Sequence, residues 1–415
     1  MIRHGACLAS ILIALNSSPA HAQPTGYVSV FGDYFPEKRD TAEMRVRVFV
    51  EEKVEPSPTV RITASGFVEG LFARRPDAST GSGEIDGIVR AQDANIELLG
   101  KRADLLAGYA RIAWGKLDEI QPTDVVNPLD VSRFFFEGRS EARLPVLLVR
   151  GRVHPSEKAT IEAVYVPDFR PGRFDRLAEA TSPFNITAGV ASAVDRQPRF
   201  ALKNAQGGVR LSATTGTVDW SVSGFRGFEP FGLYRSFALE YPRFTMLGSD
   251  VEFVRGQWGI RGELAAFVDD NFQSPDLRVV SGRSLDVGAG VDRRAGTFTL
   301  SGTVLVHSES YDTPLAVTAD RDGPPSPRLR RAGRTDTSFV MSLDRTFARE
   351  RYRFRGFGVV NASEGSAFFR GIVFASLRDN LGVEGSIGWF AGSGRDVVGR
   401  FSDSDFGYVR LRWFF

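Results

Sequence analysis

The sequence predicts an all-β protein, a transmembrane, antiparallel, up-and-down β-barrel of about 18 strands. Three observations carry this prediction. Apolar and polar side chains alternate with a period of two, short turns alternate with longer polar loops, and the chain ends on an alternating aromatic strand. Alternating segments of about ten residues have the length that a tilted strand needs to cross a bilayer. A soluble β-sandwich also alternates, but its strands are shorter, and no inter-sheet cysteine or Trp-centred core pattern is present here.

The alternation is clearest in three segments, residues 60–70, 298–307 and 381–389. In the first, Val, Ile, Ala and Gly occupy the even positions, whereas Arg, Thr, Ser and Glu occupy most of the odd ones. In a membrane barrel the apolar face contacts lipid and the other face lines the interior. We therefore expect Val304 to face lipid and Thr303 to face the interior.

The connections fall into two classes. Short turn signals occur near residues 55–58, 100–102, 155–158, 293–296 and 378–380, and longer polar stretches occur at 73–89, 115–143, 169–205, 228–243 and 311–334. Short turns at one end and long loops at the other are the periplasmic and extracellular ends of bacterial barrels. Sixteen strands are the alternative count, because the first two segments alternate least clearly. The eighteen predicted strands lie near 27–35, 43–54, 59–72, 90–99, 103–113, 144–154, 159–168, 206–213, 217–227, 245–254, 259–269, 284–292, 297–310, 335–347, 353–361, 366–377, 380–392 and 405–415.

The two ends of the chain carry export and assembly signals. A positive residue, Arg3, precedes an apolar run over residues 6–15, and Ala20-His21-Ala22 has the small-x-small pattern of a signal-peptidase site. We expect residues 1–22 to be a cleaved signal peptide and 23–415 to be the barrel. At the other end the apolar residues alternate back from Phe415. Such a terminal strand resembles the signal that the barrel-assembly machinery binds, so this machinery and outer-membrane lipid are the expected partners.

Composition excludes several classes of function. Residues 23–415 hold 51 Lys and Arg, which is the chain's 52 less Arg3, against 50 Asp and Glu. This balance, without a basic tail, argues against nucleic-acid binding. The single cysteine, Cys7, lies in the expected signal peptide, so no disulfide is expected. Nothing in the sequence points to a cofactor or a metal.

Charged residues at the interior positions of the strands are candidates to line a passage. Charges on a membrane-crossing strand are tolerated toward water or toward a charged partner. Two interpretations remain open: a water-filled pore whose charges act on solutes, and a network of ion pairs that fills the barrel. The candidate pore-lining residues are Arg45, Arg47, Arg61, Glu69, Asp93, Glu97, Arg111, Arg150, Arg152, Arg353 and Arg355.

The loop at residues 114–130 carries the most distinctive motif, Trp114-Gly115 followed by a P-x-D-x-x-N-P-x-D stretch over 122–130. With the segments 141–145 and 165–167, it resembles a stretch of poorly characterised, porin-like bacterial outer-membrane protein families. The resemblance implies a barrel in the outer membrane and says little about the solute. A loop packed on the rim is the favoured interpretation, and an inward constriction is the alternative. The candidate residues of such a constriction are Asp118, Asp124, Asn127 and Asp130.

These observations predict a porin-like channel for passive diffusion of small solutes and not an enzyme. A non-transporting surface or adhesion barrel is the alternative. Beyond residue 22 the only histidines are His154 and His307, and no serine with an orienting partner stands at a recognisable spacing from either. A barrel hydrolase is therefore a remote third interpretation.

Overall fold

Eighteen antiparallel strands close into one barrel in the computed structural model, which describes residues 24–37, 41–74, 84–173, 194–274, 278–318, 325–392, 396 and 398–415. Each barrel strand pairs with the next one along the chain, and β21 pairs with β1. The expected signal peptide lies outside the described residues. The barrel strands are β1 (Thr25–Phe35), β2 (Thr41–Ser57), β3 (Val60–Arg74), β4 (Glu84–Leu99), β5 (Ala103–Ala110), β6 (Val146–Ser156), β7 (Ala159–Val166), β9 (Gln206–Thr215), β10 (Val218–Phe228), β13 (Arg243–Arg255), β14 (Trp258–Gln273), β15 (Val279–Ala295), β16 (Phe298–Thr318), β17 (Pro325–Phe347), β18 (Tyr352–Asn361), β19 (Ser366–Arg378), β20 (Leu381–Ala391) and β21 (Phe406–Phe414).

The first and last strands close the barrel. In register, Val30 lies opposite Val46 on β2 and opposite Leu411 on β21. Beyond the end of β21, the backbone N–H of Phe415 donates to the Gly26 carbonyl (3.1 Å), and the Gly26 N–H donates to the Phe415 carbonyl (3.0 Å). Both of the weakly alternating N-terminal segments are strands of the wall. The predicted count of eighteen is thus confirmed, and sixteen is wrong.

The period of two sorts the side chains onto two faces. On β16, Val304 is 40 % exposed on the outer face, whereas Thr303 is 8 % exposed inside. The same alternation places Val48 and Val68 outside and Arg47 and Glu69 inside. The outer surface is therefore apolar and the inner one carries the charges, which is the arrangement of a barrel solvated by lipid.

The short turns lie at one end of the barrel. Two of them turn on Gly256 and Gly296, which adopt φ of +62°, a conformation that favours glycine in tight hairpins. The connections at the other end are longer, but 36–40, 274–278 and 362–365 are also short. The alternation of short and long connections is therefore less strict than the sequence indicates.

Each of the five predicted long loops contains some regular structure. β16 extends to Thr318 and β17 begins at Pro325, so most of the predicted loop 311–334 is a projecting hairpin; β4 likewise begins at Glu84, inside the predicted loop 73–89. Strand pairing satisfies the backbone whatever the polarity of the side chains, so strands continue beyond the lipid. The other loop elements are the helices α1 (Val131–Glu137) and α2 (Arg139–Ala142), two 3-10 helices at Leu202–Asn204 and Gly399–Phe401, and a small sheet of β8 (Val194–Arg196), β11 (Leu233–Arg235) and β12 (Ala238–Glu240).

Two apolar clusters occupy parts of the interior. One surrounds Trp114 and Leu148, and the other is built of aromatic rings around Phe135 and Phe368. Each cluster combines wall residues with residues of the loop between β5 and β6. Among the residues that the structure describes, no helix has the length and apolar character needed to cross a bilayer.

Candidate functional site

The segment between β5 and β6, residues 111–145, lies inside the barrel, and we call it the inserted loop. Asn127 ties its two ends together. The backbone N–H of Ile112 donates to Asn127 Oδ1 (2.8 Å), and Asn127 Nδ2 donates to the carbonyls of Ala110 (3.1 Å) and Leu144 (2.8 Å). One buried amide thus satisfies three backbone groups that would otherwise lie unpaired in the interior.

A carboxylate on β14, six strands further round the barrel from β5, organises the first turn of the inserted loop. Glu263 is 3 % exposed. It accepts hydrogen bonds from the backbone N–H groups of Lys116, Leu117 (2.6 Å) and Thr123 (3.3 Å), and from Thr123 Oγ1 (3.1 Å). Charge-assisted bonds of this kind are about twice as strong as neutral ones. The turn is therefore held against β14.

The tip of the inserted loop contacts the wall on three strands, β14, β16 and β18. Asp118 accepts from Arg261 on β14 (3.2 Å) and from the Ser301 hydroxyl on β16 (2.7 Å). Its neighbour Glu119 forms an ion pair with Arg355 on β18. The loop therefore crosses the interior and does not stay near β5 and β6.

The end of α1 returns to the wall at β2. Glu137 lies 2.8 Å from Arg47, which also pairs with Glu69 at 2.5 Å, and Arg133 stacks over the ring of Phe67 at 4.3 Å. Burial alone would raise the pKa of Glu137, but attraction to Arg47 and Arg133 outweighs it and holds this pKa well below its usual range. Glu137 is therefore ionised inside the barrel and depends on these arginines.

An aromatic cluster anchors the same helix to β19 and β20. The ring of Phe135 lies 5.1 Å from Phe368, 5.0 Å from Phe390 and 5.1 Å from Phe401, each in an edge-to-face arrangement. Such pairs are favoured by the ring quadrupole and add to the hydrophobic gain of burial. With the contacts at Glu263, Asp118 and Glu137, the cluster ties the inserted loop to strands around most of the barrel.

A cavity of about 710 Å³ remains between the inserted loop and the wall formed by β16 to β21. Its charged lining comprises six arginines and five carboxylates. On the loop side these are Asp118, Glu119, Glu137 and Arg139; on the wall side they are Asp344, Arg353, Arg355, Arg370, Glu384, Arg410 and Arg412. Carboxylates predominate on the loop and arginines on the wall.

The arginines of the wall differ in their pairing. Arg410 makes a bidentate pair with Glu384 at 2.6 Å. Arg353 and Arg412, by contrast, form no salt bridge with any residue that the structure describes, and Arg412 stacks over Tyr27 at 4.7 Å. A guanidinium stacked through its face keeps its N–H edge free to bind an acceptor.

The structure divides the predicted pore-lining residues into two groups. Arg353 and Arg355 line the cavity, whereas the others lie on or beside β2 to β7 in an ion-pair network that does not line it. The interpretation as paired charges therefore describes this side of the barrel. The pairs of this network are Arg45–Asp33 (2.7 Å), Arg47–Glu69 (2.5 Å), Arg61–Glu97 (3.3 Å), Arg111–Asp93 (2.6 Å), Arg150–Glu97 (2.8 Å) and Arg152–Asp104 (3.1 Å).

The favoured prediction of a loop packed on the rim is wrong, because the inserted loop lies within the barrel. Of its four candidate residues, Asp118 lines the cavity and the other three hold the loop in shape. Asp124 pairs with Arg143 at 2.5 Å, Asn127 ties the ends, and Asp130 caps α1 and pairs with Arg90 at 3.1 Å. These partners lie within the inserted loop, at the adjoining ends of β5 and β6, and on the neighbouring strand β4. The local sequence pattern marks the four residues but does not specify their partners.

Sequence reasoning missed five charged residues of the cavity, which are Glu119, Glu137, Arg139, Asp344 and Arg370. Arg370 donates to the hydroxyl groups of Ser386 (3.1 Å) and Tyr408 (2.6 Å). It follows two consecutive phenylalanines, which obscure the alternation of β19. Glu119 and Glu137 lie in a loop, where no alternation exists to mark them.

Neither histidine is arranged for hydrolysis. The ring nitrogens of His307 lie 2.6 Å from Asp286 and 3.0 Å from Glu309, and those of His154 lie 3.0 Å from both Thr160 and Asp104. A serine nucleophile needs a histidine nitrogen as its base, and these nitrogens face other groups. The described residues contain no group of three or more His, Cys, Asp or Glu that could hold a metal ion.

A closed barrel of eighteen antiparallel strands, apolar outside and charged within, is the fold of bacterial outer-membrane proteins of the porin type. Solved structures share it. Acinetobacter baumannii OccAB2 is similar with a TM-score of 0.52 at 8% identity, covering 95% of this chain and 98% of that one. Pseudomonas aeruginosa OccK7 (OpdD) has a TM-score of 0.51 at 10% identity, with 95% and 99% covered. Pseudomonas aeruginosa OpdK, solved with vanillate, has a TM-score of 0.51 at 10% identity, with 95% and 98% covered.

Sequence comparison adds no closer relationship. No protein-family model and no curated protein matches the chain. The resemblance of the Trp114-to-Asp130 motif to porin-like families therefore stays a prediction. The structural likeness shows the fold alone.

Proposed function

We propose that this chain is an outer-membrane channel through which small solutes diffuse passively, along the cavity between the inserted loop and β16 to β21. The observation that carries the proposal is the charged lining of that cavity. Charges inside a membrane-spanning barrel are stable where water reaches them, and opposite signs on facing walls act on the dipole and charge of a passing solute. OpdK, which has the same fold, was solved with vanillate.

A non-transporting barrel is the second candidate, and the aromatic cluster favours it. Phe135, Phe368, Phe390 and Phe401 fill one side of the interior, and with the inserted loop they reduce the space that eighteen strands enclose. The two candidates differ in conductance. A channel passes ions in discrete steps, whereas a filled structural barrel does not.

Planar-bilayer recording of the purified protein tests the proposal. The wild type should show single-channel steps. Glu119→Gln, which removes one partner of the Glu119–Arg355 ion pair, should alter their size and increase open-channel noise. Glu157→Gln, on an exposed short turn, is the matched control and should behave as the wild type. Absence of steps in both the wild type and Glu119→Gln, with the barrel folded and inserted, would reject the channel in favour of a structural barrel.

A further inference from the structure

The outer, lipid-facing surface carries a set of arginines at the short-turn end of one sector. Arg255 on β13, Arg293 on β15 and Arg345 on β17 are exposed. They share the outward phase of their strands, since Arg293 is two residues from the exposed Val291 and Arg345 is four residues from the exposed Met341. The barrel thus presents positive charge to the membrane interface here.

The sector is distinct from the wall formed by β3 to β10. At the corresponding end of β3 to β10, the outward strand positions carry no charged side chain; Ile62, Leu98 and Ile161 are examples. In the basic sector the adjoining turns add Arg294, Arg349 and Arg351, against one acid, Glu350. We call β13 to β17 at this end the basic sector.

The arginines of the basic sector are positioned by aromatic rings. Arg293 lies 4.9 Å above Trp258, and Arg345 lies 4.4 Å above Phe298 and 5.7 Å from Phe347. Neither arginine forms a salt bridge with a residue that the structure describes. Because the faces of the guanidiniums lie on rings, their N–H edges are free for a bidentate acceptor such as phosphate.

An apolar groove of about 560 Å³ adjoins the same arginines on the outer surface of β14 to β17. Gly302 forms part of its floor, and a Cβ built there meets nothing within 4 Å. Ile260, which lines the groove, is two residues from Trp258 on β14, and Val291, which also lines it, is two residues from Arg293 on β15. The groove and the basic sector are therefore continuous along the strands.

We propose that this surface is a binding site for one anionic phospholipid. Its phosphate lies on Arg293 and Arg345, and one acyl chain lies in the groove over Gly302. Arg293 and Arg345 are separated by one strand and offset by two residues in register, which places their Cα atoms on the order of 12 Å apart, within reach of one headgroup. Aromatic and basic residues at this depth meet the headgroup layer, so charge and shape match one lipid molecule.

A second outer groove serves as an internal comparison. It has about 630 Å³, lies on β1 and β18 to β21, and includes Gly32 in its lining. A Cβ at Gly32 also meets nothing within 4 Å. Toward the short-turn end its outward positions are uncharged, as at Val28, Leu381 and Trp413, except for Arg378, which lies opposite Leu381 at the end of β19. It offers an acyl chain the same kind of surface but offers a phosphate one outward arginine on its strands and not two.

The test is native mass spectrometry of the full barrel reconstituted in bilayers of phosphatidylethanolamine with phosphatidylglycerol. The wild type should retain one phosphatidylglycerol, in preference to phosphatidylethanolamine. Both Arg293→Gln/Arg345→Gln and Gly302→Leu should reduce this retention at least tenfold, by removing the phosphate partners or by filling the groove. Arg283→Gln, on the same outward face of β15 at its other end, and Gly32→Leu, in the second groove, should retain phosphatidylglycerol as the wild type does.

Each remaining outcome contradicts the proposal. Equal retention of the two lipids by the wild type would show that the groove binds acyl chains without regard to charge. If Arg283→Gln loses as much phosphatidylglycerol as Arg293→Gln/Arg345→Gln does, any outward arginine of β15 is enough to retain this lipid, and the proposed site is not specific. A control measures the unfolding temperatures of all variants in bilayers of phosphatidylethanolamine alone. Each variant should unfold there at the same temperature as the wild type, which shows that a loss of phosphatidylglycerol is not caused by misfolding. Dimers that persist in the wild type and dissociate in the Gly302→Leu variant would assign the groove to a second copy of the chain.

Discussion

Arg47 on β2 and Glu137 at the end of α1 form an ion pair of 2.8 Å, with side chains only 1% and 3% exposed. Ninety residues separate them in the sequence. Glu69 completes the arrangement at 2.5 Å from Arg47, so one guanidinium joins the inserted loop to the wall. Removal of a buried partner leaves an uncompensated charge, which costs much more than the pair itself contributes.

Arg47→Gln should therefore lower the free energy of unfolding by about 3–5 kcal/mol, because it removes the nearest cation from both Glu69 and Glu137 and leaves them the more distant Arg133, at 3.7 and 3.9 Å. Urea unfolding of the reconstituted barrel measures this change. Lys53→Gln breaks an exposed pair with Glu51 and should cost less than about 1 kcal/mol. Equal costs for the two variants would show that Arg47 does not hold the inserted loop.

The assignment of faces is tested on two neighbouring strands. Val304 faces lipid, so Val304→Arg should destabilise the barrel by about 2–4 kcal/mol near the bilayer midplane. Thr303 faces the interior, as the sequence predicts, but it is buried close to Leu117 and does not face the cavity. Ser342 lines the cavity, and Ser342→Arg should be tolerated. If Ser342→Arg costs as much as Val304→Arg in equilibrium unfolding, the cavity holds no water.

Charge selectivity should depend on the two wall arginines without salt bridges. Changing both Arg353 and Arg412 to Gln leaves four arginines against five carboxylates in the lining. The reversal potential in a salt gradient should then shift toward cations, because fixed charges near a passage concentrate counter-ions. Arg61→Gln alters a charge that does not line the cavity and should leave the reversal potential unchanged. An equal shift in both variants would place the passage elsewhere.

The C-terminal residue should matter for assembly. Phe415 pairs with Gly26 through two backbone hydrogen bonds and lies 5.5 Å from Trp413 in ring contact. Deletion of Phe415 should reduce insertion into the outer membrane while export continues, which cell fractionation measures. Phe415→Ala keeps the backbone hydrogen bonds to Gly26 but removes the aromatic ring. This variant therefore distinguishes recognition of the ring by the assembly machinery from closure of the barrel. Normal membrane levels of both variants would contradict a role for this residue in assembly.

Stability should depend on pH through a loop carboxyl. Burial, followed by the proximity of Asp270, raises the pKa of Glu229 to about 8. The folded state thus favours the protonated form, so the free energy of unfolding should be highest below the unfolded pKa of about 4.3 and fall as pH rises toward 8. Glu229→Gln should remove this decline. Thermal unfolding from pH 4 to 9 measures it, and parallel pH profiles for the wild type and the variant would contradict the assignment.

The wall of the barrel could be predicted from the sequence because each strand records its environment locally. Val60 to Gly70, for example, alternates with a period of two whatever its neighbours are. The inserted loop could not be predicted in the same way. The bonds of Glu263 to Lys116 and Leu117 join residues about 147 positions apart, and no local pattern specifies such a partner. Pro and Arg residues likewise made the β16–β17 hairpin resemble a loop.

The inserted loop also has a mechanical consequence. A wall held only by neighbour-to-neighbour hydrogen bonds is a hoop that lateral pressure can flatten. Here the inserted loop spans the barrel from side to side. It is attached to the wall at Glu263 on β14, at Arg355 on β18, at the aromatic rings of β19 and β20, and at Arg47 on β2. It acts as a cross-brace that sets the ovality of the cross-section, so changes in membrane tension should deform this barrel less than an unbraced one of equal circumference.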